Sequence, residues 1–485
     1  MTAPAILHVT SLLGGGVDRH VRDIVRGVGR PQLVWHAGDG ADVIEDPRAR
    51  RFFPLRPGAV GEPLARWLGG RRVGLVHLHQ LTRAPRERAE WACRALAVPR
   101  VATLHDILFL RPDAFSAPDP LAPDGAWLAG ASRVLRESAA VLAPSRWLAD
   151  LARARVPGLA PQVVPNGSGP VAASGATSVA PPRLEGRVVA LLGAIGPHKG
   201  GDLVHEVARR LEGTGIVLVV VGYLENRFHP GWEIPGRLFV HGAFPESDAG
   251  ALLRAYRACL VLMPNRVPES FSYALSDAWS AGVPVLAAPA GALAERIGAH
   301  GGGWLLPEGF DAAAVATAVR ELAGGAREAE RARVQSLLAT HDPARVPPLD
   351  TMTRSLDALY ARFGLDPAAP ADADDSRVRE LLAANLDGAL FRPELARLAE
   401  ELAQANAALE GTRARADAFE AEARGWIAKL EADVGAVQEE LRRAGAERDA
   451  LATEADRLRL AQEALDRLPS PLKRLLLKLA FDARR

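Results

Sequence analysis

The run VVALLGAIGPHKGGDLVHEVARRL, residues 188–211, joins eight residues of strand character to an amphipathic helix through a glycine-rich turn. An apolar run of that length, bounded by glycine and followed by helical spacing, reads as a strand of a parallel sheet buried on both faces. The same rhythm recurs on either side. Upstream stand AILHVTSLL, LVHLH, VATLHD, AAVLAPS and QVVPNG, with VDRHVRDIVRGV as a helix after the first; downstream stand IVLVVVG, LFVHG, CLVLMP and VPVLAAP. These alternations predict two doubly wound α/β domains, 1–170 and 188–345. The segment VAASGATSVAPPRLEGR (171–187) is small, polar and aperiodic, and reads as the linker between them. Two such sheets leave a cleft between their carboxyl ends, where ligands of open α/β folds bind.

Beyond residue 345 the character changes. Residues 346–392 hold a helical stretch, LDTMTRSLDALYARFG, and a spacer beginning DPAAPADADD. Residues 393–468 are expected to form a coiled coil. Apolar residues recur at Leu395, Leu398, Leu402, Ala405 and Leu409, then at Ala416, Phe419, Ala423, Trp426 and Leu430, the steps of three and four of a heptad seam. The series resumes at Val434, Val437, Leu441 and Ala444 after an extra step of four, a stutter that unwinds the supercoil locally. Self-association into a homo-oligomer is the expectation, with the strand number open. In 469–485, Leu472, Leu475, Leu476 and Leu479 share one helix face, and five positive side chains stand against Asp482, a net of +4. Such a helix suits an anionic membrane surface and equally suits capping the coiled coil.

Composition narrows the function. The 485 residues are 48% hydrophobic and 24% charged, enough for several packed cores. Lys+Arg (59) and Asp+Glu (58) nearly cancel, so no global field attracts a polyanion and nucleic-acid binding has no support. Cys93 and Cys259 are the only cysteines, which argues against a disulfide framework or zinc site and fits a reducing compartment. No apolar run reaches the ~18–20 residues of a membrane span, and MTAPAILHVTSLLGGG lacks a signal peptide's basic start. The expectation is a cytoplasmic protein, able to reach the inner face of the cell membrane if its terminal helix binds lipid. Only four of the cationic residues are lysines, and Lys199 is the sole one before Lys429. A compact ammonium kept at a glycine-rich strand-to-helix turn points to a phosphate site, where backbone N–H groups add their dipoles.

A second constellation is PNRVPESFSYALSDAWSAGVPVLA, residues 264–287. After the strand CLVLMP, a loop brings Glu269, Phe271 and Ser272 to the start of a helix, with Asp277 two turns in. Carboxylates only accept hydrogen bonds, so a pair near a helix N-terminus can hold sugar and ribose hydroxyls while the N–H groups face phosphates. As a bare pair, both also read as ordinary helix residues. His77 and His79 alternate on one strand face, but with no third ligand nearby in sequence a metal pair is set aside. His8 reads as a core residue and Ser145 as a helix N-cap. There is no G-x-S-x-G elbow for hydrolysis.

PESFSYALSDAWSAGVPVLA resembles the E-x7-E signature of the GT-B fold, family 4 retaining glycosyltransferases, with Glu269 in the first place and Asp277 in the second. GAIGPHKGGDL resembles that family's phosphate-binding strand–loop–helix, and GGGVDRHVRDI, the LHD of VATLHD, APSRWLAD and VVPNG match in order and spacing. The resemblance spans residues 6 to about 345, and GALAERIG with ESFSYALSDA is closest to members found in bacterial surface-polysaccharide assembly.

The resemblance implies an α/β fold of two Rossmann-like domains (GT-B) facing across a cleft, with the coiled-coil tail appended. It implies transfer of a hexosyl group from a nucleotide-sugar to a saccharide or lipid-linked saccharide acceptor with retention at the anomeric carbon, needing no metal and no cofactor. Lys199 would bind the donor diphosphate, Glu269 a hydroxyl of the transferred sugar and Asp277 the ribose. Backbone N–H groups at Phe271 and Ser272 would approach sugar and phosphate, beside Gly193 at the phosphate strand. The 14–16 loop, with Gly15 and Gly16, would face them from the first domain. His105 and Asp106 would form the acceptor-side wall near the anomeric carbon, with His79 close to the cleft.

This chain departs from the pattern in two places: Ala194 stands where the family commonly has arginine, and Asp277 is a methylene shorter than the usual glutamate. Arg266 is the candidate replacement cation, with His198 second; the plainer reading of Arg266 is a solvated loop residue. A nucleotide-sugar epimerase on the same fold, or a non-catalytic sugar-binding or coiled-coil scaffold protein, are the alternatives.

Overall fold

The computed structural model describes residues 3–11, 15–38, 42–49, 51–55, 59–169, 184–224, 229–365, 392–467 and 473. Gly14, most of the 171–187 linker, the DPAAPADADD spacer and, Lys473 apart, the 469–485 segment lie outside the described residues. The chain forms two compact units, Met1–Asn385 and Leu386–Arg485.

The first unit opens with β1 (Ala5–Ser11), α1 (Gly15–Gly27), β2 (Gln32–Ala37), β3 (Asp42–Asp46) and β4 (Arg51–Leu55). It continues with α2 (Glu62–Gly70), β5 (Val73–Leu78), α3 (Arg83–Leu96), β6 (Arg100–Thr103), α4 (Gly125–Arg136), β7 (Ala140–Ala143), α5 (Arg146–Arg155) and β8 (Gln162–Val163). These strands make one sheet in the order β4-β3-β2-β1-β5-β6-β7-β8, with every pairing parallel except β2–β3 and β3–β4, so that β3 alone runs against the rest. β1 and its neighbours β2 and β5 are largely buried, because helices cover both faces of the sheet.

A second set follows: β9 (Arg187–Ile195), α6 (Gly201–Arg210), β10 (Ile216–Leu224), β11 (Gly231–Ile234), β12 (Leu238–Val240), α7 (Ala249–Ala255) and β13 (Leu260–Met263). Then come α8 (Tyr273–Ser280), β14 (Val285–Ala287), α9 (Gly291–His300), β15 (Gly303–Leu305), α10 (Ala312–Ala323) and α11 (Glu328–Ala339). Its sheet runs β11-β12-β10-β9-β13-β14-β15, parallel but for β11. Alternation sorts the side chains of β9 onto two cores. Val189 and Leu191 pack with Leu203, Val204 and Val207 of α6, whereas Val188, Ala190 and Leu192 pack with Leu275, Ala278 and Trp279 of α8. The helix that carries the acidic signature is thereby fixed to the sheet that carries the lysine turn.

Helix α12 (Leu349–Ala361), within the 346–392 segment, packs on the first sheet. Met352, Leu356, Leu359 and Tyr360 share one face and close over Ile6, Leu75 and Val101. Full burial of such side chains stabilises by about 1.5–3 kcal/mol each. Arg30, itself buried, adds a two-pronged bond to Asp357, at 2.7 and 3.1 Å. The chain thus crosses from the second domain back to the first.

The second unit holds α13 (Arg392–Asp466), 75 residues long and therefore about 110 Å. Ion pairs such as Arg424–Glu420 run along it, while Phe419 (73% exposed) and Trp426 (61%) stand open along the seam. Among the described residues no helix is long and apolar enough to cross a membrane.

Candidate active site in the interdomain cleft

Lys199 ends a 3-10 turn, Pro197–Lys199, set between β9 and α6. The next residue, Gly200, has φ +77, and a Cβ there would stand 2.3 Å from the Pro264 carbonyl oxygen, so the turn can seat against the exit of β13 only with glycine. The seat is stitched by the N–H groups of Arg266 and Val267, both donating to His198 O at 3.0 Å. Lysine and acidic loop consequently meet: Lys199 Nζ lies 3.9 Å from Glu269 Oε1, which also accepts from Asn265 Nδ2 at 2.9 Å.

The acidic loop is held from behind. Gly291, at φ +66, lets α9 approach so closely that a Cβ would meet Glu269 O at 2.6 Å, and Ala292 N–H donates to that same carbonyl at 2.8 Å. Ser272 has φ +69, unusual for a residue with a side chain, and caps α8 by accepting from Leu275 N–H. Such a conformation persists where surrounding contacts over-determine it. Arg296 of α9 supplies them. Its guanidinium donates to Phe271 O (2.9 Å), Ser272 O (3.0 Å), Ser276 Oγ (2.8 Å) and Arg345 O (3.0 Å), and lies 4.1 Å from the Phe271 ring centre. Burial pushes its pKa down to about 9. Sequence reasoning missed Arg296, whose signal was its place with Leu293 and Ile297 on the buried face of α9.

The first domain supplies the opposite wall. His105 and Asp106 follow β6, and Ser270 Oγ donates across the cleft to His105 O. Asp106 Oδ1 accepts from Leu108 N–H at 2.8 Å, while burial pushes its carboxyl up to about 6 and holds the His105 imidazole down to about 3. Gly16, near the N-terminus of α1, lies against Tyr273, whose ring a Cβ would meet at 3.4 Å.

One cavity of about 300 Å³ unites Gly16, His105, Asp106, His198, Lys199, Glu269, Phe271 and Ser272. A larger one, about 700 Å³, lies between the ends of α1 and α11 and the start of α12, but its Asp342 and Arg345 already pair with each other.

Four of the expected donor-site residues do not line the smaller cavity, and neither does His79. Asp277 is gripped by Arg19 of α1, at 2.9 and 3.1 Å, so both of its oxygens face the other domain's guanidinium. Arg266 pairs with Asp202 at 3.1 Å and donates to Phe310 O. Gly15 opens α1 at φ +76, and Gly193 borders the lysine, its Cβ position 3.9 Å from Nζ. A further bridge joins the domains: the carboxylate of Glu295 accepts from the N–H groups of Arg146 (3.1 Å) and Trp147 (2.6 Å), opposite the α5 dipole. Ser145 caps α5 as expected, through Leu148 N–H.

The reason for setting aside a metal at His77 and His79 does not hold in space. His8, distant in sequence, comes to both, and His20 and His105 come to His79, so that two three-histidine groups with nitrogens within 4.8 Å of one another result.

Residues 14–168 match a family model described as Glycosyltransferase Family 4, and residues 179–335 one described as Glycosyl transferases group 1. A comparison with curated protein sequences finds no match. Among solved structures, Anabaena HepE in complex with UDP and glucose is 17% identical with TM-score 0.53, covering 74% of this chain and 100% of that one. Sucrose-phosphate synthase from Thermosynechococcus elongatus gives 16%, 0.53, 74% and 99%. A glycosyltransferase from Rickettsia africae gives 13%, 0.51, 75% and 99%. At these identities the likeness is one of fold. A glycosyltransferase family model thus matches the residues on each side of the cleft, and the architecture around it is that of the GT-B fold.

Proposed function

We propose that the cleft transfers a hexosyl group from a nucleotide-sugar donor to a saccharide or lipid-linked saccharide acceptor, with retention and without a metal ion. One observation carries the reading: Lys199, Glu269 and the N-terminal turn of α8 share a cavity with His105 and Asp106 of the opposite domain. Lys199 and the α8 dipole offset the charge that develops on the leaving diphosphate. Glu269, oriented by Asn265, accepts from a sugar hydroxyl, and the leaving phosphate takes the acceptor's proton. His105 and Asp106 border the reacting carbon, and domain closure excludes water. The complexes of HepE with UDP, with UDP and glucose, and with UDP-glucose support a nucleotide-sugar donor here.

In the present conformation Asp277 can reach a ribose only if Arg19 yields, and Arg266 can reach a phosphate only by leaving Asp202. A role in polysaccharide assembly, a coiled coil formed by residues 393–468, and contact of 472–485 with an anionic membrane belong to the same reading. Incubation with nucleotide-sugar and oligosaccharide acceptor, followed by NMR of the new anomeric proton, tests it. A glycoside of the donor's own anomeric configuration is expected, and its formation falls at least tenfold in Glu269→Gln. Inversion, or an epimerised donor without transfer, would contradict the proposal.

A further inference from the structure

The first domain brings five histidines together: His8 of β1, His20 of α1, His77 at the end of β5, His79 just beyond it and His105 beyond β6. Their hydrogen bonds have a direction that can be read from one end. The amide nitrogen of Gln32 donates to two carbonyls at the end of α1, Val28 O at 3.0 Å and Val25 O at 3.3 Å. Carbonyls only accept, so this fixes which side of the amide is nitrogen, and Oε1 faces His8 Nε2 at 2.9 Å. An oxygen there requires the proton on His8 Nε2.

In a neutral imidazole the other nitrogen is then a lone pair. His8 Nδ1 lies 2.9 Å from His79 Nε2, which must be the donor. His79 Nδ1 in turn accepts from His105 Nε2 at 3.2 Å. Burial holds His8 to about 4 and His105 to about 3, and His79 well below the usual range, so every link is neutral at physiological pH. The chain ends at His105, the one member that lines the cleft cavity, and its Nδ1 has no hydrogen-bond partner among the described residues. The His20 ring, edge-on at 4.5 Å, restricts His105 from the side.

We propose that Gln32, His8 and His79 are positioning residues that lock His105 in its Nε2–H tautomer, so that the cleft is offered Nδ1 as a hydrogen-bond acceptor for a hydroxyl group. A group that accepts and cannot donate favours a ligand hydroxyl over an ether or a deoxygenated carbon at that place, because the unmet lone pair would otherwise lose its solvation. That this hydroxyl belongs to a sugar rests on the glycosyl-transfer reading; the tautomer does not. His77 is outside the chain, with its nitrogens on Tyr360 OH and Thr103 Oγ1, both at 2.7 Å.

A bound transition metal is the competing use of these side chains. His20, His79 and His105 have nitrogens within 4.8 Å of one another, and a histidine nitrogen that ligates a metal cannot also donate.

Nitrogen-15 solid-state NMR of the full-length, histidine-labelled protein, assigned with single His→Gln variants and accompanied by metal analysis, tests the proposal. His8, His79 and His105 are expected as neutral Nε2–H rings, with less than a tenth of an equivalent of zinc, nickel or copper. In Gln32→Met, which fills similar volume without an acceptor, His105 should become a mixture of tautomers. In Gln32→Glu, where a carboxylate still accepts from His8, the Nε2–H form should remain. A His105 proton on Nδ1, an unchanged ring in Gln32→Met, or a stoichiometric metal would overturn it. A second arm adds UDP-, ADP- and GDP-linked glucose, galactose and mannose in turn. A donor that binds should shift His105 Nδ1 while Nε2 stays protonated, and binding with Nδ1 unmoved would overturn the hydroxyl assignment. Binding by none of them, with the tautomers as expected, would overturn the donor reading and leave the lock standing.

Discussion

Arg296 carries the strain of the acidic loop. Four acceptors converge on one buried guanidinium, and two of them are the carbonyls that flank the left-handed Ser272. Arg296→Met keeps much of the volume and removes every donor. Buried acceptors left unpaired cost about 1–3 kcal/mol each, and partial relaxation will recover some of that. The variant is expected to lose about 3 kcal/mol of unfolding free energy in urea; an unchanged midpoint and slope would show that the loop holds itself. Lys199 and Glu269 were legible in the sequence because their surroundings are unusual: a lone lysine among arginines, and an acid at the mouth of a helix. Arg296 was not, since arginine is the chain's default cation. The partner of Asp277 was equally hidden, because Arg19 lies 258 positions away and the bond exists only once two domains face each other.

At the scale of elements, β9 and β10 were legible from their continuous apolar runs and α13 from its period. The placement of α12 was harder to read. Its apolar face specifies a helix that packs, but not on which sheet, and the answer came from the chain's return to the first domain. The seam of α13 poses the opposite question, for Val434, Val437 and Leu441 stand 51–67% exposed on a helix that is otherwise charged. A second copy aligned along that seam would remove this surface from water at roughly 25 cal/mol per Å². Sedimentation velocity of the full chain is expected to give an oligomer, and Leu430→Asp with Leu441→Asp to return it to a monomer. A wild-type monomer at tens of micromolar would refute self-association.

For the whole molecule, the histidine cluster sets the response to acid. A histidine in the unfolded chain takes up a proton near 6.5. His8 and His105 in the fold resist until about 4 and 3, and His20, His77 and His79 are also held well below the usual range. The unfolded state therefore binds more protons, and stability falls by about 1.3 kcal/mol for each such histidine between pH 7.5 and 5.5. Asp23 and Asp106 act in the other direction. Their carboxyls are raised to about 6, so the fold protonates first and regains about 0.8 kcal/mol from each over the same interval. The histidines prevail. Urea midpoints are expected to drop steadily between pH 7.5 and 5.5, and a flat profile would mean that the cluster is already charged or opens to water.

The central claim is that the lysine turn and the acidic loop form one donor site, and calorimetric titration of the full chain with a panel of nucleotide-sugars tests it most directly. One donor should bind, and Lys199→Ala should weaken it ten- to a hundredfold, the loss of about 1.5–3 kcal/mol expected for a hydrogen bond to a charged phosphate. Binding that survives unchanged in Lys199→Ala, or no binding by any member of the panel, would contradict the account.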